Sequence, residues 1–194
     1  MLSSGFIGLK LVNCSFTDCA GVEKCCSLLR INVDNFSGLP HQTKIFVAGN
    51  HETNFPRQSR ERTASLLAPT CIYLEDASVI VNGIHFYGSP WNGLRHNSMA
   101  RAFSVSYSSL PTHWRQIPED TDVLVTHNPA YGLADLSSNK HPLNITRHCD
   151  LCQDHHKVFM HFGCPTLLDE ILHRVRHVKL LGFVIQFINL VLSV

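Results

Sequence analysis

The stretch "KIFVAGNHETNF", residues 44–55, decides the reading of the chain. Ile45–Ala48 is an uninterrupted apolar run, the pattern of a strand buried on both faces. The chain then turns on Gly49 and presents Asn50, His51 and Glu52 in succession. Three polar side chains directly after a buried strand suit either a metal or phosphate site or a surface turn. A second run, Val123–Thr126, ends the same way, in His127-Asn128-Pro129. In open α/β sheets ligands sit at the carboxyl ends of the strands. If the two strands lie near each other and parallel, Asn50, His51 and His127 meet at one edge. An amide oxygen and a neutral imidazole nitrogen are both donors for divalent Mn, Fe or Zn.

The segments around these strands alternate between strand and helix patterns. Arg57–Leu67 predicts a helix with a charged start. "CIYLEDASVIVNGIHFYGSPW", residues 71–91, predicts a hairpin at Asn82-Gly83, because a type I′ turn needs positive φ at both central positions. Residues 97–118 read as helical in parts and broken at Pro111, and residues 128–163 as a long polar loop. "CPTLLDEILHRVR", residues 164–176, is the strongest helix signal. Pro165 suits its first turn, Leu168, Ile171, Leu172 and Val175 form its apolar stripe, Asp169 and Glu170 lie near its positive end, and Arg174 and Arg176 suit its last turn. "HVKLLGFV", residues 177–184, predicts another buried strand. Apolar strands separated by helices predict an α/β core with helices covering the sheet faces.

Composition narrows the function classes. The chain has 194 residues, 44% apolar and 16% charged, which suits one folded domain. A net charge of +1 argues against a nucleic-acid partner, which calls for clustered Lys and Arg. Eight cysteines spread through a chain of this length favour a reducing compartment, hence a cytoplasmic location. Lys10 interrupts the apolar run "FIGLKLV" at residues 6–12, so no signal peptide is expected. The C-terminal run, residues 178–194, carries Lys179 and Gln186 and is shorter than the ~20 residues that cross a bilayer. It reads as a buried strand or a sticky tail, with no membrane partner. Nothing in the sequence sets an oligomeric state.

Beyond these local signals, "GNHE" at 49–52 resembles a motif of the calcineurin-like metallophosphoesterase family. The stretches at residues 36–52, 71–91, 117–135 and 163–182 fall in the same order and at similar spacing as in its small metallophosphoesterase-domain-containing branch. The resemblance spans roughly residues 31–182. It implies an αββα sandwich with a dinuclear metal site at the strand ends, hydrolysing phosphate esters, with cyclic-nucleotide phosphodiesters as a substrate class. By position, Asn50 and His127 would bind one of the two metals. His51 would protonate the leaving group or steady the phosphate, and Glu52 would orient His51 or cap the next helix. In such sites two cations clamp the phosphate and turn a bridging water into hydroxide.

The chain departs from that pattern at both ends. The family opens with an Asp-x-His strand end and a Gly-Asp whose carboxylate bridges the metals, and closes with Gly-His-x-His. Here no Gly-Asp pair exists, and the Asp-x-His at Asp154-His155-His156 lies in the late loop and in the wrong order. The closing motif is replaced by Gly182-Phe183-Val184-Ile185. Asn50 and His127 are neutral donors, and without a bridging carboxylate the repulsion between two close cations is not offset. One weakly held divalent ion is the most they would keep. The expectation is therefore a domain at 31–182 incomplete at both ends, flanked by an unmatched segment at 1–30 and an apolar tail at 183–194. Lost strands would leave open sheet edges.

Three other readings stand beside an impaired hydrolase. One is a catalytically inactive nucleotide-binding pseudoenzyme, with Asn50, His51 and His127 rimming a pocket and Trp91 stacking on a base. A second is a non-functional truncated isoform. The third is a structural zinc at Cys149 and Cys152, whose C-x-x-C spacing lies beside His148, His155 and His156. The expected small-molecule partner is a phosphoester or nucleotide.

Overall fold

In the computed structural model the Lys44–Ala48 run forms strand β1 (Ile45–Val47), with all three residues buried. The structure describes residues 43–68, 70–94, 102–138, 147–148, 153–156, 159–185 and 188–193. β1 pairs in parallel with β2 (Ile72–Leu74), Ile45 opposite Ile72 and Val47 opposite Leu74. Side chains alternate across a strand, and β1 follows that rule. Ile45 and Val47 pack with Leu74 toward Phe86, Val123 and Val125. Phe46 and Ala48 pack on the other side, with Phe55, Leu67 and Tyr73.

Phe86, Val123 and Val125 belong to a separate five-stranded sheet. Its strands in chain order are β3 (Ala77–Val81), β4 (Ile84–Ser89), β7 (Val123–Thr126), β12 (Leu180–Ile185) and β13 (Ile188–Ser193). In space they run β13-β12-β7-β4-β3, with β4, β7 and β12 parallel and the two outer strands antiparallel to their neighbours. Tyr87, Leu124 and Leu181 point to the far face of this sheet, where they meet Leu110, Trp114, Leu167, Ile171 and Val175 from two helices. β7 is therefore apolar on both faces, the pattern expected of a central parallel strand. The architecture is mixed α/β, as the alternating segments predict.

The Asn82-Gly83 hairpin between β3 and β4 forms as expected, with φ of 51° and 80° at the two central residues. Helix α1 (Arg60–Leu67) starts later than expected, because Phe55–Arg57 makes a separate 3₁₀ turn and Ser59 caps the helix by accepting the Arg62 N–H. Pro111 starts a helix rather than breaking one. It lies in the first turn of α2 (Leu110–Trp114), where a missing N–H costs nothing.

Helix α3 (Pro165–His173) begins at Pro165 as expected, but its buried residues are Leu167 and Ile171, with Val175 buried just past its end. Leu168 is only partly buried and Leu172 is 54% exposed. Starting at Pro165 also puts Asp169 and Glu170 past the first turn, which holds no acidic residue. The helix ends at His173, so Arg174 becomes its C-cap and does other work. Its guanidinium pairs with Glu170 and donates to the carbonyls of Ile117 (2.6 Å) and Trp114 (2.8 Å), tying α3 to the end of α2.

The expected loop at 128–163 contains strands. β8 (Leu136–Ser138) pairs with β11 (Phe159–His161), and β9 (Arg147–His148) pairs with β10 (His155–His156). A further parallel pair joins β5 (Asn92–Gly93) to β6 (Ser104–Val105). The expected boundary between domain and tail at 182–183 falls inside β12, and the tail residues 188–193 form β13 along its edge. No helix among the described residues is long and apolar enough to cross a membrane.

Candidate phosphate and metal site

The turn after β1 is closed by its own glutamate. Glu52 is 5% exposed, and its carboxylate accepts the Gly49 N–H at 2.5 Å while its backbone N–H donates to the Gly49 carbonyl at 3.2 Å. Glu52 thus fixes the loop that carries Asn50 and His51, bonding back to Gly49 through its carboxylate and N–H and forward to the Phe55 N–H of the following 3₁₀ turn through its carbonyl, at 3.0 Å.

That loop meets the end of β7. Asn50 Oδ1 lies 2.9 Å from His127 Nε2, and the Asn50 backbone N–H points at the same nitrogen from 3.3 Å. The two residues are 77 positions apart in sequence. They do not come together as ends of neighbouring strands in one sheet. β1 and β7 belong to the two facing sheets, and the contact closes across the gap at their carboxyl ends. Gly49 makes the approach possible: a Cβ there would stand 2.3 Å from His127 Nδ1 and 2.4 Å from Cε1. The imidazole lies directly on the glycine. At its backbone, His127 donates to the Ser89 carbonyl at 3.0 Å, which ties the end of β7 to the end of β4.

The tautomer of His127 decides what the pair can do. With its proton on Nε2, the ring donates to Asn50 Oδ1. With its proton on Nδ1, Nε2 accepts the Asn50 N–H and lies beside a second acceptor oxygen. Two lone pairs at that spacing repel unless a cation lies against both or the Asn50 amide turns its NH₂ group toward the ring. The pair therefore fits contact with one divalent cation through two neutral donors. Among the described residues, no group of three or more His, Cys, Asp or Glu side chains is placed to hold a metal.

His51 is half-buried, and the loss of hydration lowers its pKa below the ordinary histidine value, favouring the neutral ring. Trp91 is engaged in packing. Its indole N–H donates to Asp76 at 2.5 Å, its face stacks on His113 with ring centres 3.9 Å apart, and its edge meets Phe103. Cys149 and Cys152, the candidate zinc ligands, lie outside the described residues. The flanking positions His148 and His155 stand opposite each other in the β9–β10 pair. In the register of β12 on β7, Phe183 pairs with Thr126, so an apolar residue occupies the strand position beside the approach to His127.

Two carboxylates escape a linear reading. Asp76 has a φ of 44° and accepts from Ser89 Oγ (2.7 Å) and Trp91, with Tyr87 and His113 also against it. Burial, and then the charge of Asp76, push the Tyr87 hydroxyl pKa up. Asp135 is buried and holds His161 Nδ1 at 2.9 Å and the Gly163 N–H at 3.0 Å. The one local hint is at Asp76, since aspartate tolerates a left-handed backbone better than most residues.

No family model matches the chain. It is similar to a UPF0046 protein of Caenorhabditis elegans, with 32% identity over 174 residues, covering 83% of this chain and 54% of that protein. It is also similar to metallophosphoesterase domain-containing protein 1 of Homo sapiens, with 29% identity over 161 residues, covering 71% of this chain and 43% of the relative. A second Caenorhabditis elegans UPF0046 protein is 31% identical over 120 residues, covering 56% of this chain and 40% of its own length. The chain thus spans about half the length of these relatives, or less. With the mixed α/β fold, these similarities support a metallophosphoesterase-related family for the chain.

Proposed function

We propose that the chain is a phosphoester hydrolase domain of the metallophosphoesterase type, acting on a small phosphodiester or nucleotide, with its hydrolytic power impaired. The observation that carries the reading is the approach of Asn50 Oδ1 to His127 Nε2 at 2.9 Å, across two facing sheets and at the ends of two buried strands. The packing on both sides of each sheet supports an αββα sandwich. A divalent ion such as Mn, Fe or Zn would supply Lewis-acid polarisation of the phosphoryl oxygen. The protein's own part is to aim the two donors, which Gly49, Glu52 and Ser89 do, and to offer His51 as a proton carrier. Because burial favours the neutral imidazole, His51 holds its proton less often than a free histidine at neutral pH, and protonation of a leaving group weakens accordingly.

Impairment follows from charge. Both donors are neutral, and Phe183 and Ile185 stand where the family resemblance calls for histidines. The same shortage of ligands favours a second reading, a nucleotide-binding pseudoenzyme. The test is hydrolysis of bis(p-nitrophenyl) phosphate with added Mn²⁺, alongside calorimetric titration with nucleoside monophosphates. We expect slow turnover that EDTA abolishes and that His51→Ala lowers by about 100-fold. Nucleotide binding without turnover selects the pseudoenzyme. Turnover indifferent to chelator, or neither turnover nor binding, overturns the proposal.

A further inference from the structure

We propose that Asp76 is the positioning residue for the Asn50–His127 pair, holding both partners through separate arms that start at its two carboxylate oxygens. The inference rests on reading that pair as the functional site. The first arm runs through β4. Ser89 Oγ donates to Asp76 Oδ1 at 2.7 Å, and the Ser89 carbonyl receives the His127 N–H at 3.0 Å. The second arm runs through Trp91. Its indole N–H donates to Asp76 Oδ2 at 2.5 Å, and the next residue, Asn92, grips the Ala102 and Phe103 carbonyls with its side-chain amide at 3.3 and 3.2 Å. The Ala102 N–H then donates to the Asn50 carbonyl at 3.1 Å. One carboxylate thereby sets the backbone at both residue 127 and residue 50.

Two features separate this from ordinary packing. Asp76 holds a φ of 44°, a conformation that costs most residues energy and persists where surrounding bonds enforce it. Its donors also come from distinct elements: β4, the segment after it, and His113 in α2. The carboxylate is the point where those elements meet beside the carboxyl ends of the strands.

Amide hydrogen exchange in the folded chain tests the idea, since it reads the terminal hydrogen bond of each arm. In Asp76→Gly, which accepts the positive φ without strain, the amides of His127 and Ala102 are expected to exchange about tenfold faster relative to those of β12. Ser89→Ala cuts the first arm, so His127 accelerates while Ala102 does not. Trp91→Phe cuts the second arm, and the selectivity reverses. Should Asp76→Gly fail to fold, the two single-arm variants decide alone. Uniform acceleration across all sheet amides, or none at these two sites, overturns the proposal and leaves Asp76 a general stabiliser. The exchange measurement needs no turnover. A chain that neither hydrolyses nor binds phosphoesters sinks the functional reading while these rates still judge the positioning.

Discussion

Gly88→Val is expected to destabilise the chain by about 3 kcal/mol and to lower its melting temperature by roughly 6–12 °C. Gly88 lies on β4 where the two sheets face each other. A Cβ added there would stand 2.4 Å from the Leu74 Cβ and 2.7 Å from a Val47 methyl. Both neighbours come from the β1–β2 sheet, so the glycine sets how closely the layers approach. Overpacking of this kind forces backbone shifts rather than rotamer changes, because the nearest atom is itself a Cβ. The identity of that atom gives a sharper form of the prediction. In a double-mutant cycle Leu74→Ala should show little favourable coupling to Gly88→Val, since alanine keeps the offending carbon, whereas Leu74→Gly, costly by itself, should couple favourably. Urea unfolding of the single and double variants reads these differences directly. A Gly88→Val protein as stable as the parent would mean that the sheets do not pack face to face at this point. Against a total stability of about 5–15 kcal/mol, the expected loss is large.

The second large effect falls on the site rather than on stability. Gly49→Ala places a methyl group within the His127 ring, 2.3 Å from Nδ1 and 2.8 Å from Cγ. The imidazole is the end of a flexible side chain, so it can swing away at little cost to the fold. Swinging away separates Nε2 from Asn50 Oδ1. Mn²⁺ affinity is therefore expected to fall about 10–100-fold, the range found when the supports of a metal ligand are removed, with the melting temperature nearly unchanged. NMR of the His127 ring protons reports the displacement independently of any metal. An unchanged ring environment in Gly49→Ala would contradict the close contact on which the site is built.

These two glycines also show what a linear reading can and cannot reach. Strands β1 and β7 are legible because runs of four (Ile45–Ala48) and three (Val123–Val125) consecutive apolar residues have few other uses, and the Asn82-Gly83 hairpin because its turn chemistry is local. Pro111 reads ambiguously, since proline both breaks helices and begins them. Leu172 and Leu167 differ by a rotation that the spacing of apolar residues on a nine-residue helix does not resolve. β8 is hidden because its partner lies far along the chain, Leu136 opposite His161. At the site, Asn50 and His127 stand out as polar residues after buried strands. Their meeting across two sheets, rather than within one, depends on packing that no spacing encodes. Asp76 gathers donors 11 to 37 residues away, so its importance exists only in three dimensions.

The central claim is that a neutral amide and a neutral imidazole, set edge to edge, hold at most one divalent ion, because among the described residues no group of three or more His, Cys, Asp or Glu side chains is placed to hold a metal and offset the repulsion of a second. Elemental analysis of the folded chain after saturation with Mn²⁺ and exhaustive dialysis tests it most directly. The account predicts one equivalent or less, lost entirely in His127→Ala; two equivalents retained per chain would contradict it.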